Sequence, residues 1–182
     1  ATLARVEPVL RQAGHVGYVN LNTIINEQGV WPLEFTCRFG YPGFAVLEPL
    51  QAIEWSELFR RMLDPSATEL PVRDGFSAAI VLSTPPFPYS RKDVSAPIGL
   101  PLDEGGVEPE HIHLGEVGRS PAGLVTAGLY GWTAVITGMG ATVSEAQRSA
   151  YDRAARVRIP NGRYRLDIGD KLHGWQVHQM TD

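Results

Sequence analysis

Glu34, Thr36 and Arg38 recur at every second position of the run Leu33-Glu34-Phe35-Thr36-Cys37-Arg38-Phe39-Gly40, the spacing that places side chains on one face of a β-strand. A carboxylate, a hydroxyl and a guanidinium in a row could hold a metal ion and an anion, as a metal-bound polyphosphate requires. Trp31, Leu33, Phe35 and Cys37 are then expected on the opposite face, turned into a core, with Cys37 a buried and inert thiol. Asn20 and Asn22 sit on the preceding strand-like run and share the Glu34 face if the register permits. Oxygen donors of this kind suit hard cations such as Mg²⁺. The plainer interpretation is a solvated strand face.

Other constellations carry less chemistry. His111-Ile112-His113 sets two imidazoles at strand spacing without a nearby third ligand, and His173 and His178 lie far along the tail, so two half-buried strand histidines are expected rather than a zinc site. There is no Gly-x-Ser-x-Gly turn and no Gly-rich phosphate loop. Gly138-Met139-Gly140 is expected to turn the chain before a helix, and Asn161-Gly162-Arg163-Tyr164-Arg165 reads as a surface turn.

The elements that must position these groups follow from periodicity and punctuation. Leu3, Val6, Val9 and Leu10 predict a short helix that Gly14 closes. Gly17 to Ile25 and Val30 to Arg38 predict a β-hairpin across Asn26-Glu27-Gln28-Gly29, with Pro32 at a position that needs no ladder hydrogen bond. Phe44 to Leu63 gives two helical stretches interrupted near Pro49, the second capped by Ser56. Asp64 to Asp74, polar and with two prolines, marks a boundary. Beyond it, Phe76 to Ser83, Val107 to Gly115, Gly123 to Ala127 and Gly131 to Gly138 predict strands, and Pro85 to Tyr89 a rigid loop. Thr142-Val143-Ser144-Glu145 has the form of a capping box, opening a helix over 142–157. Strands followed by a helix, without βαβ alternation, indicate an α+β fold.

Composition narrows the function classes. The 182 residues suffice for one ordinary domain or two small ones, and the net charge of −4 without a clustered Lys/Arg block argues against a nucleic-acid binder. No apolar run reaches the roughly 20 residues of a membrane span. Cys37 is the only cysteine, which excludes an intrachain disulfide and fits a reducing compartment, so the expected location is cytoplasmic. The N-terminus Ala-Thr-Leu-Ala-Arg lacks the profile of a signal peptide, and a start without Met suggests a portion of a longer protein.

Glu34-Phe35-Thr36-Cys37-Arg38-Phe39-Gly40 resembles the E-F-N-A-R-F-G-D-P-E segment of phosphoribosylamine–glycine ligases, enzymes of the ATP-grasp superfamily. The helix and hairpin over residues 3–29 look like that family's approach to the motif. Ala78 to Ser83 with Phe87-Pro88-Tyr89 is similar to its carboxy-terminal strand and loop, Ile112-His113-Leu114-Gly115 to its Phe-His-Ala-Gly, and Tyr164-Arg165-Leu166-Asp167-Ile168-Gly169 to its Tyr-Arg-x-Asp-Ile-Gly ending.

The resemblance implies that residues 1–63 are the C-terminal part of an ATP-grasp domain, that 72–169 form a small, mostly antiparallel α+β domain, and that 170–182 are a tail. It implies an ATP-dependent ligase that joins glycine to phosphoribosylamine, active only together with upstream domains. ATP and Mg²⁺ (or Mn²⁺) are the implied cofactors. Glu34 is then a metal ligand, with Thr36 in place of the family's Asn and Asn22 twelve residues earlier as further ligands, and Arg38 stabilises charge on the transferring phosphoryl group. Tyr41-Pro42-Gly43 stands where the family has Asp-Pro-Glu, and Pro85-Pro86 where it has a Gly-rich loop. These departures leave open an ATP-grasp ligase with other substrates, or a non-catalytic binding scaffold.

Overall fold

A computed structural model of the chain describes residues 3–88 and 98–172. The chain divides into two compact units, Ala1–Phe44 with Gln51–Val72, and Ala45–Leu50 with Arg73–Asp182. The architecture is α+β, with small antiparallel sheets and a helix near the C-terminal end.

The first unit opens with a 3₁₀ turn, Leu3–Arg5, and helix α1, Glu7–Gln12, where Pro8 occupies the first turn and forfeits no helical hydrogen bond. Gly14 follows in the left-handed region, at φ 64°. Strands β1, Asn20–Asn26, and β2, Gly29–Thr36, form a two-stranded antiparallel sheet. Asn26 Oδ1 accepts the Gln28 amide at 3.0 Å within the turn that joins them. The chain then passes into the second unit at Ala45 within a short helix α2, Gly43–Leu47, which continues as a 3₁₀ turn, Glu48–Leu50, before the first unit resumes at Gln51. Helix α3, Trp55–Leu63, begins after Glu54, so Ser56 lies inside its first turn and is not the cap expected of it. Tyr18, Phe39, Phe44, Trp55 and Phe59 gather into an aromatic cluster, with Phe39 and Phe44 ring centroids 4.5 Å apart and Phe44 and Trp55 4.8 Å apart.

The hairpin corrects the expectation of a buried apolar face. Trp31, Leu33 and Phe35 are 51%, 62% and 48% exposed, and Cys37 is exposed as well. The register shows part of the reason. Asn22 pairs with Glu34 but Thr23 pairs with Pro32, so Leu33 is an extra residue in a β-bulge. The extra residue reverses the alternation, and Trp31, opposite Ile24, falls on the same side as Asn22 and Glu34 rather than with Phe35. Its indole Nε1 donates to Asn26 Oδ1 at 3.2 Å on that side. Pro32 has no N–H to lose in such an irregular, edge position.

In the second unit, strands β3, Phe76–Ser83, β4, Ile112–Leu114, and β7, Trp132–Gly140, form an antiparallel sheet in the order β3-β7-β4. Helix α4, Val143–Ala154, packs on one face. Ile80, Leu82, Ile112, Ala134 and Ile136 turn to that side and form the core with Ala150, Ala154, Val107 and Val157. The capping box is present: Thr142 Oγ1 accepts the Glu145 amide at 3.2 Å, and Glu145 Oε2 accepts the Thr142 amide at 3.2 Å. Gly138 to Gly140, expected as a turn, are the last residues of β7. Glycine belongs at 138 and 140 because the α4 backbone passes directly over those two positions.

Two further expectations change. Only Ile112–Leu114 of the stretch 107–115 is strand, because Pro109–His111 forms a 3₁₀ turn that Pro109, lacking an N–H, is suited to open. Val117–Ser120, β5, pairs with Gly123–Thr126, β6, as a hairpin not anticipated from the sequence. Tyr89 of the proline-rich loop, and His173 and His178 of the tail, lie outside the described residues.

Candidate functional site

The polar residues singled out on the hairpin are placed by its register. Asn20 lies opposite Thr36 and Asn22 opposite Glu34, so four polar side chains share one side of the two-stranded sheet. Asn22 Nδ2 donates to Glu34 Oε1 at 3.0 Å, and Asn20 Nδ2 donates to Asn22 Oδ1 at 2.8 Å. Glu34 is exposed and Thr36 half-buried. The carboxylate is therefore held by one oxygen and open to solvent.

Arg38 is not brought into this row. The strand ends at Thr36, two residues short of the expectation, and the Arg38 guanidinium Nη1 donates to the Phe39 carbonyl at 3.2 Å. Its neighbour Phe39 is fixed in the aromatic cluster, stacked on Tyr18 with ring centroids 4.8 Å apart. That packing ties the departing chain down and leaves the guanidinium at the mouth of the loop, exposed.

The donor set suits one kind of cation. Glu34, Thr36 and the asparagines offer oxygens only, the preference of Mg²⁺ or Mn²⁺, and one carboxylate is enough when phosphate oxygens and water complete the coordination. Among the described residues no group of three or more His, Cys, Asp or Glu side chains could hold a metal by itself. A cation here is thus compatible with the residues only as a partner of a bound polyanion. The side-chain oxygen of Asn22 accepts a hydrogen bond from Asn20, a link that the i, i+2 spacing of the two asparagines signals but that sequence alone does not orient.

The histidine pair is separated in use. His111 Nδ1 lies 3.1 Å from Thr137 Oγ1, and His113 Nδ1 lies 3.2 Å from Glu48 Oε2. Burial, and then the positive charge of Arg153, hold the His111 imidazole below its usual value.

A stretch of 168 residues, 90% of this chain, is 30% identical to the phosphoribosylamine–glycine ligase of Mycobacterium tuberculosis. The chain matches the phosphoribosylamine–glycine ligases. The similarity to the enzyme of Leifsonia xyli is 27% over 164 residues, 86% of the chain. Among solved structures, the phosphoribosylamine–glycine ligase of Thermotoga maritima shares the fold with a TM-score of 0.65 at 24% identity, over 82% of this chain and 36% of that one. The chain spans about 37% of the length of the mycobacterial relative. No protein-family model matches it. Among the described residues no helix is long and apolar enough to cross a membrane.

Proposed function

We propose that this chain is the C-terminal portion of an ATP-grasp ligase that joins glycine to phosphoribosylamine in the cytoplasm. Residues 1–63 form the end of the ATP-grasp domain and 72–169 the small domain that follows it. The observation that carries this reading is the 30% identity to a phosphoribosylamine–glycine ligase over 90% of the chain. The order of the motifs supports the C-terminal placement, and the compact unit that resumes at Arg73 supports the division.

In the proposed reaction a glycine carboxylate oxygen attacks the γ-phosphorus of ATP and ADP leaves. The amine of phosphoribosylamine then attacks the acyl carbon, loses a proton and expels phosphate, leaving an amide. A divalent cation, when bound, neutralises phosphate charge. Glu34 supplies the negative oxygen that anchors it, steadied by the Asn22 amide. Thr36 offers a hydroxyl at the strand end. Arg38, exposed beside the loop, offers a guanidinium to the transferring phosphoryl group or the acyl phosphate.

The test is a chimera in which this chain replaces the matching stretch of the Mycobacterium tuberculosis ligase. Folded chimera should release ADP only when both glycine and phosphoribosylamine are present, and Glu34→Gln should lower the rate by about a hundredfold. The 182-residue chain alone should release none. A folded chimera that stays silent with both substrates overturns the assignment.

A further inference from the structure

The two asparagines beside Glu34 are wired in one direction. An ionised carboxylate only accepts hydrogen bonds, so Asn22 must turn its NH₂ group to Glu34 and its oxygen away, to where the Asn20 NH₂ group meets it. Reversing the Asn22 amide would set oxygen against oxygen at Glu34 and NH₂ against NH₂ at Asn20. Asn20, half-buried and opposite Thr36 at the base of the hairpin, is the anchored end of this chain of amides, and Glu34 is its exposed end. We infer that Asn20 and Asn22 are positioning residues that aim the Glu34 carboxylate, with Asn22 donating a hydrogen bond to the ligand rather than contributing an oxygen to the cation.

This inference rests on the proposed role of Glu34 as the ligand of a divalent cation. It assigns Glu34 Oε1 to the amide relay and leaves Oε2, with the Thr36 hydroxyl, for the cation. The relay also removes one rotational freedom from an exposed glutamate, so less order has to be imposed when the cation arrives. A carboxylate fixed at one oxygen presents the other in a constant direction. An oxygen ligand at Asn22 would have to share the oxygen that already accepts from Asn20, on the side of the amide turned away from Glu34.

The experiment follows the side-chain amide signals of Asn20 and Asn22 by NMR in the ¹⁵N-labelled 182-residue chain. Without metal, Glu34→Ala should shift the Asn22 amide protons and, through it, those of Asn20; unmoved signals overturn the relay. On adding Mg²⁺ together with inorganic triphosphate to the unsubstituted chain, the Asn20 amide should keep its position, and a shift to that of a free amide overturns the inference, because it means that the cation has displaced it from the Asn22 oxygen. With inorganic triphosphate present, Asn20→Ala should weaken Mn²⁺ binding, read by electron paramagnetic resonance, by about tenfold. Unchanged or tighter binding in that variant also overturns the positioning role. Absence of Mn²⁺ binding by the unsubstituted chain in the presence of inorganic triphosphate overturns the cation reading of Glu34 and this inference with it, and the metal-free amide shifts distinguish that result from failure of the relay.

Discussion

Gly138 of β7 lies against the backbone of Ala150 in α4, so close that a Cβ on Gly138 would stand 2.2 Å from the Ala150 nitrogen and 2.7 Å from the Ala146 oxygen. The helix answers with alanine at 146, 150 and 154, all buried. A methyl group at 138 has to push a whole helix off the sheet. Gly138→Ala should therefore destabilise the second unit by about 3 kcal/mol, read as a lower urea midpoint with an unchanged slope. A change within experimental error would mean that α4 does not sit as described.

The start of α4 is stabilised by two reciprocal hydrogen bonds between Thr142 and Glu145. Thr142→Ala should cost about 1 kcal/mol. Glu145→Ala should cost a similar amount, and the double variant less than the sum, since each side chain braces the same turn. Full additivity in denaturation would contradict the capping box.

Glu116 gathers three backbone donors into its carboxylate: the amides of Tyr130, Gly131 and Trp132, with Oε2 at 3.0, 2.8 and 3.2 Å. It fixes the turn that leads into β7. Glu116→Ala should cost about 2 kcal/mol, because three N–H groups, two of them part-buried, lose a charged acceptor. Hydrogen exchange at residues 130–132 should accelerate before that of the β7 interior. Retained protection at those amides would contradict the contact.

Acid should weaken the second unit in two stages. His111 titrates below its ordinary 6.5 because burial, foremost, disfavours the imidazolium. The unfolded chain then takes up that proton first, and the associated stability, present above pH 6.5, is lost as pH falls towards the lower folded value. Glu108 titrates at about 2, held down by its own backbone amide and then by Arg153, so its contribution is complete above pH 4.5 and disappears between 4.5 and about 2. Denaturation as a function of pH should lose the upper stage in His111→Gln and show a smaller lower stage in Glu108→Gln, where the Asp167 carboxyl, also held down by Arg165, supplies the remainder. A profile that keeps both stages in both variants would contradict these assignments.

Much of this fold was legible from punctuation. The capping box located α4, the Gly-bounded apolar run located β3, and the turn Asn26 to Gly29 located the first hairpin. What stayed hidden were features that depend on partners distant in sequence. The burial of strand residues by α4 explains Gly138 and Gly140, but strand periodicity alone made them look like a turn. The bulge at Leu33 had one local sign, Pro32 inside an otherwise regular strand, and it was enough to put Trp31 on the unexpected side. For the candidate site, alternation brought Asn22, Glu34 and Thr36 together, whereas Arg38 lay past the last paired residue, where alternation has no force.

The short stretch Ala45–Leu50 is counted with residues that begin only at Arg73. It packs on the reverse side of the β3-β7-β4 sheet, where His113 meets Glu48, Arg73 donates to the Pro49 carbonyl at 2.9 Å, and Thr133, Val135 and Thr137 are fully buried. The second unit is therefore not a module that one cut can free. A polypeptide starting at Arg73 would leave behind part of its own wall, and recombination or gene fusion has to respect a boundary that the chain crosses three times before it reaches β3.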